Sequence, residues 1–162
     1  MYPEINTILY ATDMGDHMRP VFRFALGLAK KYEAEIIMLH VVEPPSIGVQ
    51  FAIDAYMPEV DTRKVLENGL QNTLDKMKER LQDYYKNELL ESPSDSGLTT
   101  DVKVVSGRSA DMIVRQAESM DVDMIIMGTH TDPSFSTHII GSTARRVTQM
   151  SKKPVLVIPV YE

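Results

Sequence analysis

Short apolar runs and helical apolar spacings alternate along this chain almost from end to end. Ile5 to Ala11 is an apolar run without helical period, closed by Thr12-Asp13, and it predicts a strand covered on both faces. From Met18 onward Val21, Ala25, Leu28 and Tyr32, flanked by Phe22 and Ala29, recur at helical spacing. Pro20 is tolerated there only in a first turn, so the helix runs from about Met18 to about Lys31. Glu35 to Val42 (EIIMLHVV) is a second apolar run, and strand, helix, strand implies a right-handed parallel crossover within one sheet.

The pattern then lapses. Glu43 to Val60 holds Pro44, Pro45, Gly48 and Pro58 with no sustained period, which predicts a long connection that is either plain surface loop or a lid over a site. Asp61 or Thr62 caps the next helix, in which Leu66, Leu70, Thr73, Met77, Leu81 and Tyr84 run at spacings of three and four to about Leu90. Glu91 to Thr99 (ESPSDSGLT) is a turn-rich break. Val102 and Val104 give a third strand ending at Ser106-Gly107, and Ser109 caps a helix with Ile113, Val114, Ala117 and Met120 on its apolar side. Val122 to Met127 is a fourth strand, Ser142 opens a fourth helix with Val147 and Met150 inward, and Pro154 to Ile158 is a fifth strand. The whole predicts an α/β fold, an open doubly wound sheet of five parallel strands with helices on both faces.

Length and composition narrow this further. At 162 residues the chain is the size of one domain, taken here as residues 1–162, and no apolar run approaches the roughly 18 residues of a membrane span. MYPEINTILYATD has no basic start followed by an apolar segment, so no signal peptide is expected, and the absence of cysteine removes disulfide and thiolate chemistry. Both fit a cytoplasmic protein. The net charge of −6 disfavours nonspecific binding to nucleic acid, whose affinity rests on Lys and Arg at phosphates.

Candidate chemistry concentrates between Val122 and Val160. The apolar run Met124 to Met127 stops at Gly128, a polar segment follows, and Gly141, Ser142 and Thr143 open a helical pattern. Strand, glycine, loop, glycine, helix is an arrangement that binds phosphate. Glycine lets backbone N–H groups approach closely, and a helix N-terminus offers free donors and the positive end of its dipole.

Gly128, two residues, position 131, nine residues, then Gly141-Ser142 resembles the G-x2-G-x9-G-[S/T] signature of the universal stress protein family, in its ATP-binding branch. Ile8 to Asp13 (ILYATD), Met38 to Val42 (MLHVV), Ser106-Gly107 and the closing PVLVIP also fall where that family has its strand ends. The resemblance implies strand order 3-2-1-4-5, which puts the ligand crevice between strands one and four. It places Asp13 and Val41 beside adenine and ribose and gives the phosphates to Gly128, Gly141, Ser142 and Thr143. Ala11, Thr12, His130 and Thr131 complete the expected site. The implied ligand is ATP, with any Mg²⁺ held by phosphates and water more than by protein. The fifth strand, Pro154 to Val160, is implied to be a sheet edge through which two copies pair, and Pro159 is acceptable only at such an edge.

Each residue also has a plainer use. Asp13 can cap the first helix or its turn, Ser142 can cap the fourth helix without a phosphate, Gly128 can simply turn the chain, and Gly141 can simply end a loop. Residue 131 is Thr where the signature has Gly. If the loop needs a positive φ there, a β-branched residue costs on the order of 1–2 kcal/mol; if glycine only provides room, Thr adds a hydroxyl near a phosphate. Relatives lacking this glycine resemble the chain through Ser134-Phe135-Ser136-Thr137-His138-Ile139-Ile140-Gly141-Ser142. His17, His40 and His138 read as surface or packing residues without metal spacing, whereas His130 lies within the loop. A binding module therefore leads. A slow ATPase is the enzymatic rival, although no Walker A lysine is present, and a nucleotide-free dimeric interaction protein is the third reading. A receiver domain is excluded, because Ser106-Gly107 stands where its aspartate would follow the third strand.

Overall fold

Ile8, Leu9 and Tyr10 are consecutive and all wholly buried, which requires a strand with both faces covered. They form the centre of β1 (Thr7–Ala11) in a computed structural model that describes residues 1–58, 61–91, 100–130 and 140–160. β2 (Glu35–Val42) pairs with β1 in parallel from Thr7↔Glu35 to Ala11↔Leu39. β4 (Met124–His130) pairs on the other side of β1, from Ile8↔Met124 to Ala11↔Met127. β3 (Thr100–Ser106) and β5 (Val155–Val160) complete a five-stranded parallel sheet in the order β3-β2-β1-β4-β5. The expected topology is thus the observed one.

Helices cover both faces. α1 (Arg19–Tyr32) buries Val21, Phe22, Ala25, Leu26 and Ala29 against Ile8 and Tyr10. α3 (Thr62–Glu91) joins that layer through wholly buried Leu81, while Leu70, Thr73, Met77 and Tyr84 are half-buried. Rings link the layer: Tyr10 stacks on Phe22 with centroids 5.3 Å apart, and Phe22 meets Tyr84 at 5.6 Å. On the opposite face α4 (Ser109–Ser119) and α5 (Ser142–Met150) pack Ile113, Val114, Ala117, Ala144 and Val147 against Leu9, Leu39, Ile125 and Met127. The Asp123 carboxylate accepts from the backbone N–H groups of Asn6 (2.8 Å) and Thr7 (2.9 Å), fixing the start of β4 beside the start of β1.

Several local expectations are corrected. A helix, α2 (Ile47–Tyr56), occupies the stretch expected to be a loop; Ser46 caps it, and none of its residues is buried. Its apolar residues lack amphipathic spacing, so a helical period was not visible. Ser109 and Ser142 are the first residues of α4 and α5, with Arg108 and Gly141 in the cap positions and no side-chain cap at either. Met150 and Tyr32 are exposed because each ends its helix beyond the edge of the packed layer. β4 continues past Met127 through Gly128, Thr129 and His130, since pairing with β5 runs on through Thr129↔Pro159 and His130↔Val160. The break at 92–99 lies outside the described residues.

Leu81 is the wholly buried anchor of an otherwise largely exposed helix. Leu81→Ala should cost about 2–4 kcal/mol in equilibrium denaturation, against less than about 0.5 kcal/mol for the exposed Val65→Ala. Equal costs at the two positions would mean that α3 does not dock through Leu81.

Candidate functional site

β1 has β2 on one side and β4 on the other, so the chain leaves its carboxyl end between two neighbours whose own exits diverge. A crevice of about 150 Å³ opens there. Its apolar lining comes from Ala11, Met18, Leu39, Val41, Ile113 and Met127, and its polar lining from Thr12, Asp13, His40, Ser109 and Thr143, with Gly128 beside them.

The turn after β1 is internally braced. Thr12 N–H donates to the Leu39 carbonyl (3.0 Å), continuing the β1–β2 ladder one residue past the strand, and Thr12 Oγ1 accepts from Met14 N–H (3.0 Å). Asp13 Oδ1 accepts from Gly15 N–H (2.9 Å) and its Oδ2 lies 3.2 Å from His17 Nε2. The His17 ring lies over Gly15 and leaves no room for a Cβ there. Asp13 therefore braces this turn while also lining the crevice. His40 Nδ1 donates to the Thr12 carbonyl (2.8 Å), which ties β2 to the same turn.

On the β4 side, Gly128 is needed for proximity and not for a turn. It lies inside the strand opposite Ile158, and a Cβ would come within 2.9 Å of Met18 Sδ and 3.0 Å of Val160 Cγ2. Thr129 is buried and its Oγ1 accepts from Gly141 N–H at 2.9 Å, so the end of β4 holds the start of α5. The N–H groups of the first turn of α5 have no carbonyl partner within the helix, and Thr143 in that turn faces the crevice.

Of the residues expected from sequence, Ala11, Thr12, Asp13, Val41, Gly128 and Thr143 are brought together around one crevice. Gly141 and Ser142 border it at the cap of α5 without lining it, and His130 falls in β4 instead of the loop. Thr131 and 134–139 lie outside the described residues. Sequence reading set His40 to Glu43 beside the crevice without giving His40 a contact, and it missed Met18, Ser109, Ile113, Leu39 and Met127 as lining residues. Met18 and Ser109 stand at helix starts, and Ile113 lies one turn into α4; their approach to the crevice has no local signature. His40 carried a signal, its place at the end of an apolar strand beside the site.

Glu43, just past β2, is also held at this end of the sheet. Its Oε1 accepts from Ser109 N–H (3.0 Å) and Ser109 Oγ–H (2.7 Å). The backbone donor first and the hydroxyl second hold its carboxyl below the ordinary value of 4.5. Among the described residues no group of three or more His, Asp or Glu is arranged to hold a metal ion. The crevice thus joins an apolar floor, a carboxylate at one wall and a helix N-terminus at another. These features suit a ligand with a flat apolar part and an anionic part. No described helix is long and apolar enough to cross a membrane.

The comparisons with known proteins agree with this geometry. The universal stress protein MJ0577 of Methanocaldococcus jannaschii is 29% identical over 154 residues, covering 93% of each chain. Its solved structure superposes with a TM-score of 0.72 over 99% of both chains, at 27% identity. A universal stress protein of Methanothermobacter thermautotrophicus is 31% identical over 134 residues, covering 83% of this chain and 82% of that one. The solved structure of a universal stress protein in complex with cAMP shares the fold at 19% identity, with a TM-score of 0.59 over 98% of this chain and 100% of that one. The model of the universal stress protein family matches residues 4–159, and the chain belongs to that family.

Proposed function

We propose that the protein is an adenine-nucleotide-binding regulatory module. Residues 1–162 act as one domain that takes ATP in the crevice between β1 and β4, with Mg²⁺ carried mainly by the phosphates. The observation that carries this reading is the convergence of Ala11, Thr12, Asp13, Val41, Gly128 and Thr143 on one crevice at the reversal of strand order. The base lies against the apolar floor near Val41, the ribose near Asp13, and the phosphates run past Gly128 to the first turn of α5. Occupation of a protein of this fold by cAMP makes an adenine nucleotide the class to test first. The role is binding before turnover. His40 is held by the Thr12 carbonyl and Asp13 by Gly15 and His17, so neither is set to activate water.

A homodimer through β5 accompanies this reading. β5 is a sheet edge of mainly apolar residues, and Pro159, which has no N–H to donate, sits in it. Light scattering on the purified protein should read twice the chain mass, and a monomer mass would remove the edge-pairing idea.

Two substitutions test the crevice by calorimetric titration with ATP and magnesium. Gly141→Val puts a branched side chain at the cap of α5 and should weaken binding about tenfold or more. Thr131→Gly restores the signature glycine and should preserve or strengthen it. Unchanged affinity in Gly141→Val would place the nucleotide elsewhere. Failure of the wild-type protein to bind ATP would leave the nucleotide-free dimeric interaction protein as the better reading.

A further inference from the structure

The carboxyl end of β2 is fastened to the start of α4 by contacts that the nucleotide reading does not use. Val42 carbonyl accepts from Gly107 N–H at 3.0 Å, and the next side chain, Glu43, accepts from both the N–H and the hydroxyl of Ser109. Gly107 makes this route possible. Its φ of +149° and the approach of Met112 Cγ to within 2.6 Å of a would-be Cβ both exclude a side chain there. The chain therefore passes from β3 into α4 along a fixed path, and Ser109 arrives opposite Glu43.

This clasp spans one wall of the crevice. Val41 on β2 lines it two residues before Glu43, and Ser109 and Ile113, one helical turn apart on α4, line it from the other side. A carboxylate on the first N–H of a helix is favoured by the free donor and by the dipole. Arg108 adds a weaker attraction. Glu43 touches the crevice only through what it holds.

We propose that Glu43 is a positioning residue for the nucleotide site, which holds Ser109 and Ile113 at the separation from Val41 that the base requires. This rests on the crevice being the nucleotide site. The clasp sets the width of the wall before ligand arrives, so its loss leaves the fold intact and loosens the fit. Because the contact is made at the wall beside Val41, its loss falls on the base and not on the phosphates.

The test uses the full chain and three variants, Glu43→Ala, Glu43→Gln and Ser109→Ala. Amide spectra by NMR read the clasp through the Ser109 N–H shift, and calorimetry reads affinity for ATP and for AMP. Glu43→Ala should move the Ser109 amide resonance and weaken ATP and AMP by the same factor, about fivefold. Glu43→Gln keeps an acceptor oxygen and should recover most of the affinity, while Ser109→Ala, which keeps the N–H, should lose less than Glu43→Ala. A moved Ser109 resonance with unchanged affinity would overturn the positioning role, and an unmoved resonance would overturn the clasp itself. A loss confined to ATP would also overturn it, by assigning Glu43 to the phosphate end. No ATP binding by the wild-type protein would instead overturn the nucleotide reading on which the role depends, a result distinguishable before any variant is made.

Discussion

Parallel pairing of β1 between β2 and β4 is the constraint from which the rest follows. Ile8, Leu9, Tyr10 and Ala11 are matched residue by residue on both sides, to Ile36 through Leu39 and to Met124 through Met127. A strand paired on both sides and covered on both faces has no freedom to slip, since moving by one residue would exchange the side chains of its two faces. The order reversal fixed by that pairing leaves space at the carboxyl end of β1, lined by Met18 just before α1 on one face and by Ser109 and Ile113 of α4 on the other. A crevice is thus a by-product of topology. Its particular lining comes from the ends of β1, β2 and β4 and the starts of α4 and α5.

The two faces of the sheet are finished differently. Under α1 the layer is bulky and ring-rich, with Tyr10, Phe22 and Tyr84 in series. Under α4 and α5 it is built from aliphatic residues and alanines, Ala110, Ala117 and Ala144 among them, which lets those helices lie close. The crevice lining includes two buried methionines, Met18 and Met127, near Gly128. Unbranched, polarisable side chains at such a place adapt to a flat ligand at small cost in strain.

Much of this was legible in the chain. Runs such as EIIMLHVV cannot be solvent-facing strands, and β2 begins and ends where that run does. Gly128 was legible as a necessary glycine, but for a different reason. Sequence suggests close approach to a phosphate or, more plainly, a turn, whereas the strand continues and the glycine makes room for Met18 and Val160. Ser109 and Ser142 were misread because a serine before an apolar spacing looks like a cap. Both instead lie one residue into the helix, and Ser109 gives its donors to a carboxylate 66 positions earlier in the chain. α2 stayed hidden because its apolar residues serve no packed face of this chain. Local patterns reveal what a residue does for its own segment; Glu43, His40 and Thr129 are legible as standing at strand ends beside the crevice, but the partners of their hydrogen bonds on other segments are not.

Thr129 carries the last consequence. By accepting from Gly141 N–H, its hydroxyl closes a short circuit between the end of β4 and the beginning of α5. The two ends of the intervening stretch are thereby held together whatever lies between them. The first turn of α5 is thus anchored to the sheet by a side chain of the strand it follows, and not by packing alone.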